Sequence, residues 1–334
     1  MMKLGLFGIA LLMTLSAAAQ APIVKTASGK VSGVVENGVN VYKGIPYAAP
    51  PVGDLRWKQP QPAKSWKGVR ACDKFGPASL QGGSAEGSFY WKEFYQGGAP
   101  EMSEDCLYLN VWTSSSRKKM PVMVWIHGGA YMNGYGHEIE FGGEAYASKG
   151  VILVTLNYRL GMCGFLAHPL LDKENGGHGS GNYGLYDQIA ALRWVHDNIA
   201  AFGGDPENVT IFGQSGGGMK VATLMNTPAA DGLFQKGIIE SGVYEAKVYQ
   251  KEDGDGTAIV KALLKELNLD ESEVEKLETI PYYELSNAYN KVEAEVAAKG
   301  CYIGQGPMEN GWFHGNPIKC GFTDHAKTPS IGNS

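Results

Sequence analysis

What this 334-residue chain has little of narrows its class first. Charge is sparse: Asp, Glu, Lys and Arg make up 19% of residues and sum to a formal −5. No basic stripe with interleaved aromatics occurs, so the footprint of a nucleic-acid binder is missing. Cysteine is scarce as well. Cys72, Cys106, Cys163, Cys301 and Cys320 show no C-x-x-C spacing, which leaves no zinc site and no cofactor to expect. Their odd count leaves at least one thiol without an internal partner. Long apolar runs are confined to the start. After Lys3, residues 4–15 are apolar but too short to span a bilayer comfortably, and Ala17-Ala18-Ala19 offers small residues for cleavage before Gln20. Residues 1–19 read as an export signal for a secreted or periplasmic chain, with no stable membrane anchor. Nothing in the pattern specifies an oligomeric state.

What is present is the apolar share of a globular protein, 44%, arranged in short runs. Residues 31–35 and 39–42 flank Asn37-Gly38, a strong hairpin signal. A loop-rich stretch dense in Pro, Gly and Trp follows, and residues 107–113 read as a strand. Residues 122–126, 151–156, 209–212 and 237–239 are near-continuous apolar runs, the signature of strands buried on both faces of a parallel sheet. Between the second and third, Leu185, Ile189, Leu192, Val195 and Ile199 recur at helical spacing, and Gly203-Gly204 ends the pattern. Strand, helix and strand in this order predict a right-handed crossover and an α/β class with a doubly wound, mostly parallel sheet flanked by helices. Residues 254–300 read as surface helices: Ile259, Leu263, Leu264 and Leu267 share a face, and Asp270, Glu271, Glu273 and Glu275 form an acidic run read as solvated.

Gly213-Gln214-Ser215-Gly216-Gly217 fits G-x-S-x-G, directly after one apolar run and before a helical stretch. A strand-turn-helix there bends the backbone so sharply that neighbouring β-carbons would clash, hence the glycines. The bend lifts the Ser215 hydroxyl to a helix N-terminus, where developing negative charge is favoured. His127-Gly128-Gly129-Ala130 follows the run at 122–126, and glycines there let backbone amides approach a reacting carbonyl. The candidate oxyanion donors are the amides of Gly129, Ala130 and Gly216. His127 is read as a support for that loop and not as a general base. Tyr131 and Phe141 are read as packing residues that could edge a pocket.

These residues resemble the type-B carboxylesterases, which include the cholinesterases. One signature runs from Phe202-Gly203-Gly204-Asp205-Pro206-Glu207-Asn208 through Val209-Thr210-Ile211-Phe212 to Ser215 and Gly217. A second is Glu104-Asp105-Cys106-Leu107-Tyr108-Leu109-Asn110-Val111-Trp112. Gly44-Ile45-Pro46-Tyr47-Ala48, Asn157-Tyr158-Arg159-Leu160-Gly161 and Gly184-Leu185-Tyr186-Asp187-Gln188 add to the match. The resemblance implies an α/β-hydrolase fold and hydrolysis of a small-molecule carboxylic ester through an acylated Ser215. It implies a disulfide between Cys72 and Cys106, structural ion pairs Arg56–Glu104 and Arg159–Asp187, and supporting residues at Glu240-Ser241. Two positions depart from it: Gln214 stands where glutamate is usual, and Gly216 where alanine is.

A serine hydroxyl needs an adjacent base, and the base an orienting acid. In this fold the chain order is serine, acid, histidine. Residues 328–333 resemble the start of the strand and turn that precede the family's acid. Both partners, and the last strands of the sheet, are therefore expected beyond Ser334, making residues 20–334 the N-terminal portion of the domain. His127, His137, His168, His178, His196, His314 and His325, with Glu309 and Asp324, are not expected to complete a triad. The rival reading is a non-catalytic, cholinesterase-like binding module. Such modules usually lose the nucleophile, and Ser215 speaks against it.

Overall fold

The apolar runs assemble side by side. The protein is described by a computed structural model for residues 21–93, 95, 98–114, 118–174, 180–242, 254–308 and 330–333. Residues 1–19, Cys320, His178, His314, His325, Glu309 and Asp324 lie outside them. Among the described residues eight strands form the main sheet: β1 (Val34–Glu36), β2 (Val39–Pro46), β3 (Tyr108–Thr113), β4 (Met120–Ile126), β5 (Ile152–Leu156), β6 (Gly204–Gln214), β7 (Lys236–Glu240) and β8 (Ser330–Asn333). Their spatial order is β8-β7-β6-β4-β5-β3-β2-β1. The strands from β5 to β8 run parallel, while β3, β2 and β1 pair antiparallel along the other edge. The β1–β2 turn is Asn37-Gly38, both left-handed at φ 49° and 79°, the geometry of a tight hairpin.

The central runs lack polar alternation because the sheet has a core on each side. Val122, Val124, Ile152, Val154, Val209 and Ile211 point into one core. Their alternates Trp125, Leu153 and Phe212 point into the other, with Ala147 of the short helix Glu144–Ser148. The larger core is covered by helices α1 (Tyr183–Asn198) and α2 (Gly216–Met225). α1 is the crossover from β5 to β6, both of which flank β4. After a short 3₁₀ turn, Gly203 closes it in the left-handed region at φ 90°.

Two further helices, α3 (Thr257–Glu266) and α4 (Tyr282–Ala298), pack against each other through faces that include Leu263, Leu264, Leu285 and Tyr289. In the acidic run between them, Asp270 caps the 3₁₀ segment Glu271–Glu278 through a reciprocal bond with Glu273, a job beyond solvation. Arg56 ties this region down. It grips Glu104 with two bonds of 2.7 Å, and its Nη1 donates to the carbonyls of Leu277 and Ile280. Arg159 and Asp187 form a second bidentate pair, at 2.8 and 2.7 Å, and the Arg159 amide also donates to the carboxylate.

The disulfide implied by the resemblance is corrected. Cys72 and Cys106 are both buried free thiols. Cys72 sits just past the strand Val69–Ala71, its amide bonded to Ser32 and its carbonyl to Lys43. The side chain facing Cys106 is Ser79, which hydrogen-bonds it beside Arg159 and Cys163. Burial pushes the Cys72 thiol up to about 12 and raises that of Cys106 further still, so neither is a reactive thiolate.

Candidate active site

The end of β6 is crowded enough to dictate the residues around Ser215. A β-carbon on Gly213 would stand 2.5 Å from the Ile126 carbonyl oxygen, and one on Gly217 only 2.1 Å from the same atom. Ser215 itself takes φ 55° and ψ −125°, a conformation that a side chain adopts only when its surroundings hold it. Two bonds do so. The Ser215 amide donates to Glu240 O at 2.8 Å, at the end of β7, and its carbonyl accepts the first helical bond of α2 from Met219. The hydroxyl stands exposed at the N-terminus of α2. Glu240 thus supports the elbow through its backbone.

The loop after β4 lies directly against this elbow. A β-carbon on Gly128 would approach the Gln214 carbonyl oxygen to 2.8 Å and lie 3.7 Å from the Ser215 Cβ. Gly129 and Ala130 are both left-handed, at φ 84° and 54°. The Gly129 carbonyl turns away to accept the amides of Met132 and Asn133. At Gly216 a β-carbon would stand 2.6 Å from the Ala130 nitrogen and 2.5 Å from its oxygen. Of the residues assigned from sequence, Gly129 and Ala130 line one cleft with Ser215, and Gly216, next to Ser215 in the chain, packs against Ala130. The departure from alanine at 216 has a steric reason: there is no room for a methyl group.

His127 is fully buried and stacks on Tyr158 at 4.3 Å between ring centroids. Its Nδ1 lies 3.0 Å from the carbonyl of Gly128. A carbonyl only accepts, so Nδ1 carries the proton. That bond holds the peptide whose N–H belongs to Gly129. Burial drives the His127 pKa well below 6.5, with nearby Lys220 adding to the effect, and the ring is neutral. Tyr158 donates its hydroxyl to the His127 carbonyl at 2.8 Å. From the outside, Gln81 clamps the loop at both polar atoms of Gly134.

A cleft of about 750 Å³ opens over Ser215, Gly129 and Ala130, walled by aromatics such as Tyr95, Trp125, Phe141 and Tyr289. Phe141 lies against Trp125 at 4.1 Å and does edge the cleft. Tyr131 does not: it is buried against Phe165 and Leu185. Glu138 also faces the cleft, and burial, reinforced by Glu140, raises its carboxyl to about 7. Sequence reading passed over Glu138, Gln81 and Lys220; of these only Lys220 carried a signal, as a lone charge among the apolar residues of a helix. Among the described residues no imidazole or carboxylate hydrogen-bonds the Ser215 hydroxyl. His196 is exposed on α1 beside Asp197, and His137 is stacked on Phe75, its pKa lowered by burial to about 4.

A mixed sheet with helices on both faces, and a serine on a strained turn between strand and helix, define an α/β-hydrolase. The chain belongs to the carboxylesterase family, whose profile it matches over residues 20–328. It is 46% identical over 272 residues to the para-nitrobenzyl esterase of Bacillus subtilis, a match covering 81% of this chain and 53% of that enzyme. It is 44% identical over 224 residues to the fumonisin B1 esterase of Sphingopyxis macrogoltabida, covering 65% of this chain and 39% of that one. A solved esterase from Clostridium hathewayi superposes with a TM-score of 0.84 at 41% identity, over 93% of this chain and 61% of that one. The chain spans about half the length of the curated relatives it matches.

Proposed function

We propose that the chain carries the nucleophile and oxyanion donors of a serine carboxylesterase acting through an acyl-enzyme at Ser215. The observation that carries this reading is the packing of the Ala130 amide against Gly216, beside a strained, open Ser215. In this reading Ser215 Oγ attacks the ester carbonyl and passes its proton to a base. The carbonyl electrons move onto oxygen, where the amides of Gly129, Ala130 and Gly216 hold the charge, each donor contributing roughly 3 kcal/mol. Collapse expels the alcohol with that proton, and water repeats the sequence to release the acid. The described residues supply the nucleophile and the donors. The base and its orienting acid are expected from outside them.

The aromatic walls of the cleft favour small esters with an aromatic group over purely aliphatic ones. The Bacillus relative, named for para-nitrobenzyl esters, and the Clostridium neighbour, described as hydrolysing aliphatic aromatic polyesters, support that preference. Export of the chain rests on Lys3, the apolar run after it and Ala17-Ala18-Ala19. The test of function is a fluorophosphonate probe applied to the protein. An adduct mapped to Ser215 and lost in Ser215→Ala supports the esterase. Folded protein that has its base and orienting acid in place and still takes no adduct points to the binding module instead.

A further inference from the structure

Helix α2 buries one charged residue among its apolar neighbours. Lys220 has no exposed surface, and no carboxylate bonds it among the described residues. Its Nζ donates to the carbonyl of Ala130 and lies 3.5 Å from that of His127. The rings of Tyr131 and Tyr158 enclose it, their centroids 4.7 and 5.2 Å away. Gly216 and Lys220 are four residues apart and share a face of the helix. Both touch the same residue: Gly216 packs on the nitrogen, Cα and oxygen of Ala130, and Lys220 takes its carbonyl. Ala130 is the one non-glycine residue of the donor loop with positive φ, so something must hold it there.

We propose that Lys220 is a positioning residue for the oxyanion hole: docked on the Ala130 carbonyl, it pins the donor loop to α2 so that the Gly129 and Ala130 amides face Ser215. The inference rests on the esterase reading and deepens it. Lys220 does not touch substrate, since the loop lies between it and the cleft. It acts through the loop and through its charge, which in a dry setting adds to the potential an oxyanion meets. The missing methyl at 216 belongs to the same device. Ala130 is drawn so close to the helix that only glycine fits beneath it.

The device responds to protons. Four titratable groups face Lys220: the imidazole of His127, neutral through burial, the phenols of Tyr131 and Tyr158, and the carboxyl of Glu138. Glu138 pulls the ammonium up, but desolvation outweighs it and brings Lys220 down to about 7. A proton thus enters and leaves the hole's support near neutrality.

The test follows the Lys220 ¹³Cε signal and the ¹⁵N signals of Gly129 and Ala130 across pH, in Glu138→Gln protein so that no second group titrates near 7. Coincident transitions below pH 7, since Glu138 no longer pulls the ammonium up, and absent from Lys220→Met, are expected. Lys220→Met should also slow phosphonylation of Ser215 by roughly tenfold or more while leaving probe affinity unchanged. A Lys220 transition above pH 10, or loop amides silent through it, overturns the proposal, and this holds even where Lys220→Met does not fold. A wild-type protein that has its base and orienting acid in place and whose Ser215 takes no probe defeats the esterase reading alone, and the amide titration still decides the clamp.

Discussion

Two of the buried cations, Arg159 and Lys220, are held in opposite ways. Arg159 faces a carboxylate: Asp187 takes two side-chain bonds from it and one from its amide. Burial alone would weaken its hold on the proton, but Asp187 reverses that, and the Arg159 pKa is raised. Lys220 faces backbone carbonyls and aromatic rings, and its pKa falls to about 7. Arginine presents a planar fork that matches a carboxylate, whereas lysine is a point charge whose proton is more easily lost. The first arrangement fixes the junction of β5 and α1. The second holds the loop proposed to present its amides to a reacting group. Burial of charge therefore does two different jobs here, and the partner decides which.

The comparison can be broken most strongly at Asp187. Asp187→Ala leaves the Arg159 guanidinium buried and unpaired, and should cost about 3–5 kcal/mol in urea unfolding. The same region also has room for a covalent tie. Ser79→Cys brings a second thiol against Cys106 and should close a disulfide worth about 3 kcal/mol in the chain-entropy picture, less about 1 kcal/mol for the Leu160 amide that Ser79 now caps. A midpoint shift abolished by reductant checks this.

At Lys220 the distinguishing effect is its pH dependence. Its folded pKa of about 7 lies below its unfolded value near 10.5, so between these the unfolded chain binds the extra proton. Stability should rise with pH across that window, by up to about 1.4 kcal/mol per unit. The penalty is complete below pH 7. Denaturant midpoints of wild type minus Lys220→Met isolate this slope; a flat difference would mean Lys220 titrates normally. The smallest effect belongs to a solvated pair. Lys299–Glu295 lies on the outer face of α4, and Lys299→Ala should leave the melting temperature unchanged within error.

The strands were legible because β4, β5 and β6 have a core on each side, so their apolar runs are uninterrupted. The elbow was legible because its crowding admits only glycine at 213 and 217. Lys220 was not, because what buries it is a loop some 90 residues earlier in the chain. The resemblance, not the residues themselves, implied the Cys72–Cys106 pair; in the fold both thiols are free and Ser79 hydrogen-bonds Cys106. The acidic run was read correctly as a surface but not as a cap, since Asp270 and Glu273 reveal that role only once the 3₁₀ segment begins.

Arg56 does not line the cleft but has a consequence for it. Its Nη1 holds the carbonyls of Leu277 and Ile280, and α4 begins at Tyr282, carrying Tyr289 and Glu293 to the cleft wall. The guanidinium thereby works as a tie-rod between the Glu104 signature and the aromatic rim. The bore of the entrance is gauged from the flank of the molecule, so its width can change without any change at Ser215.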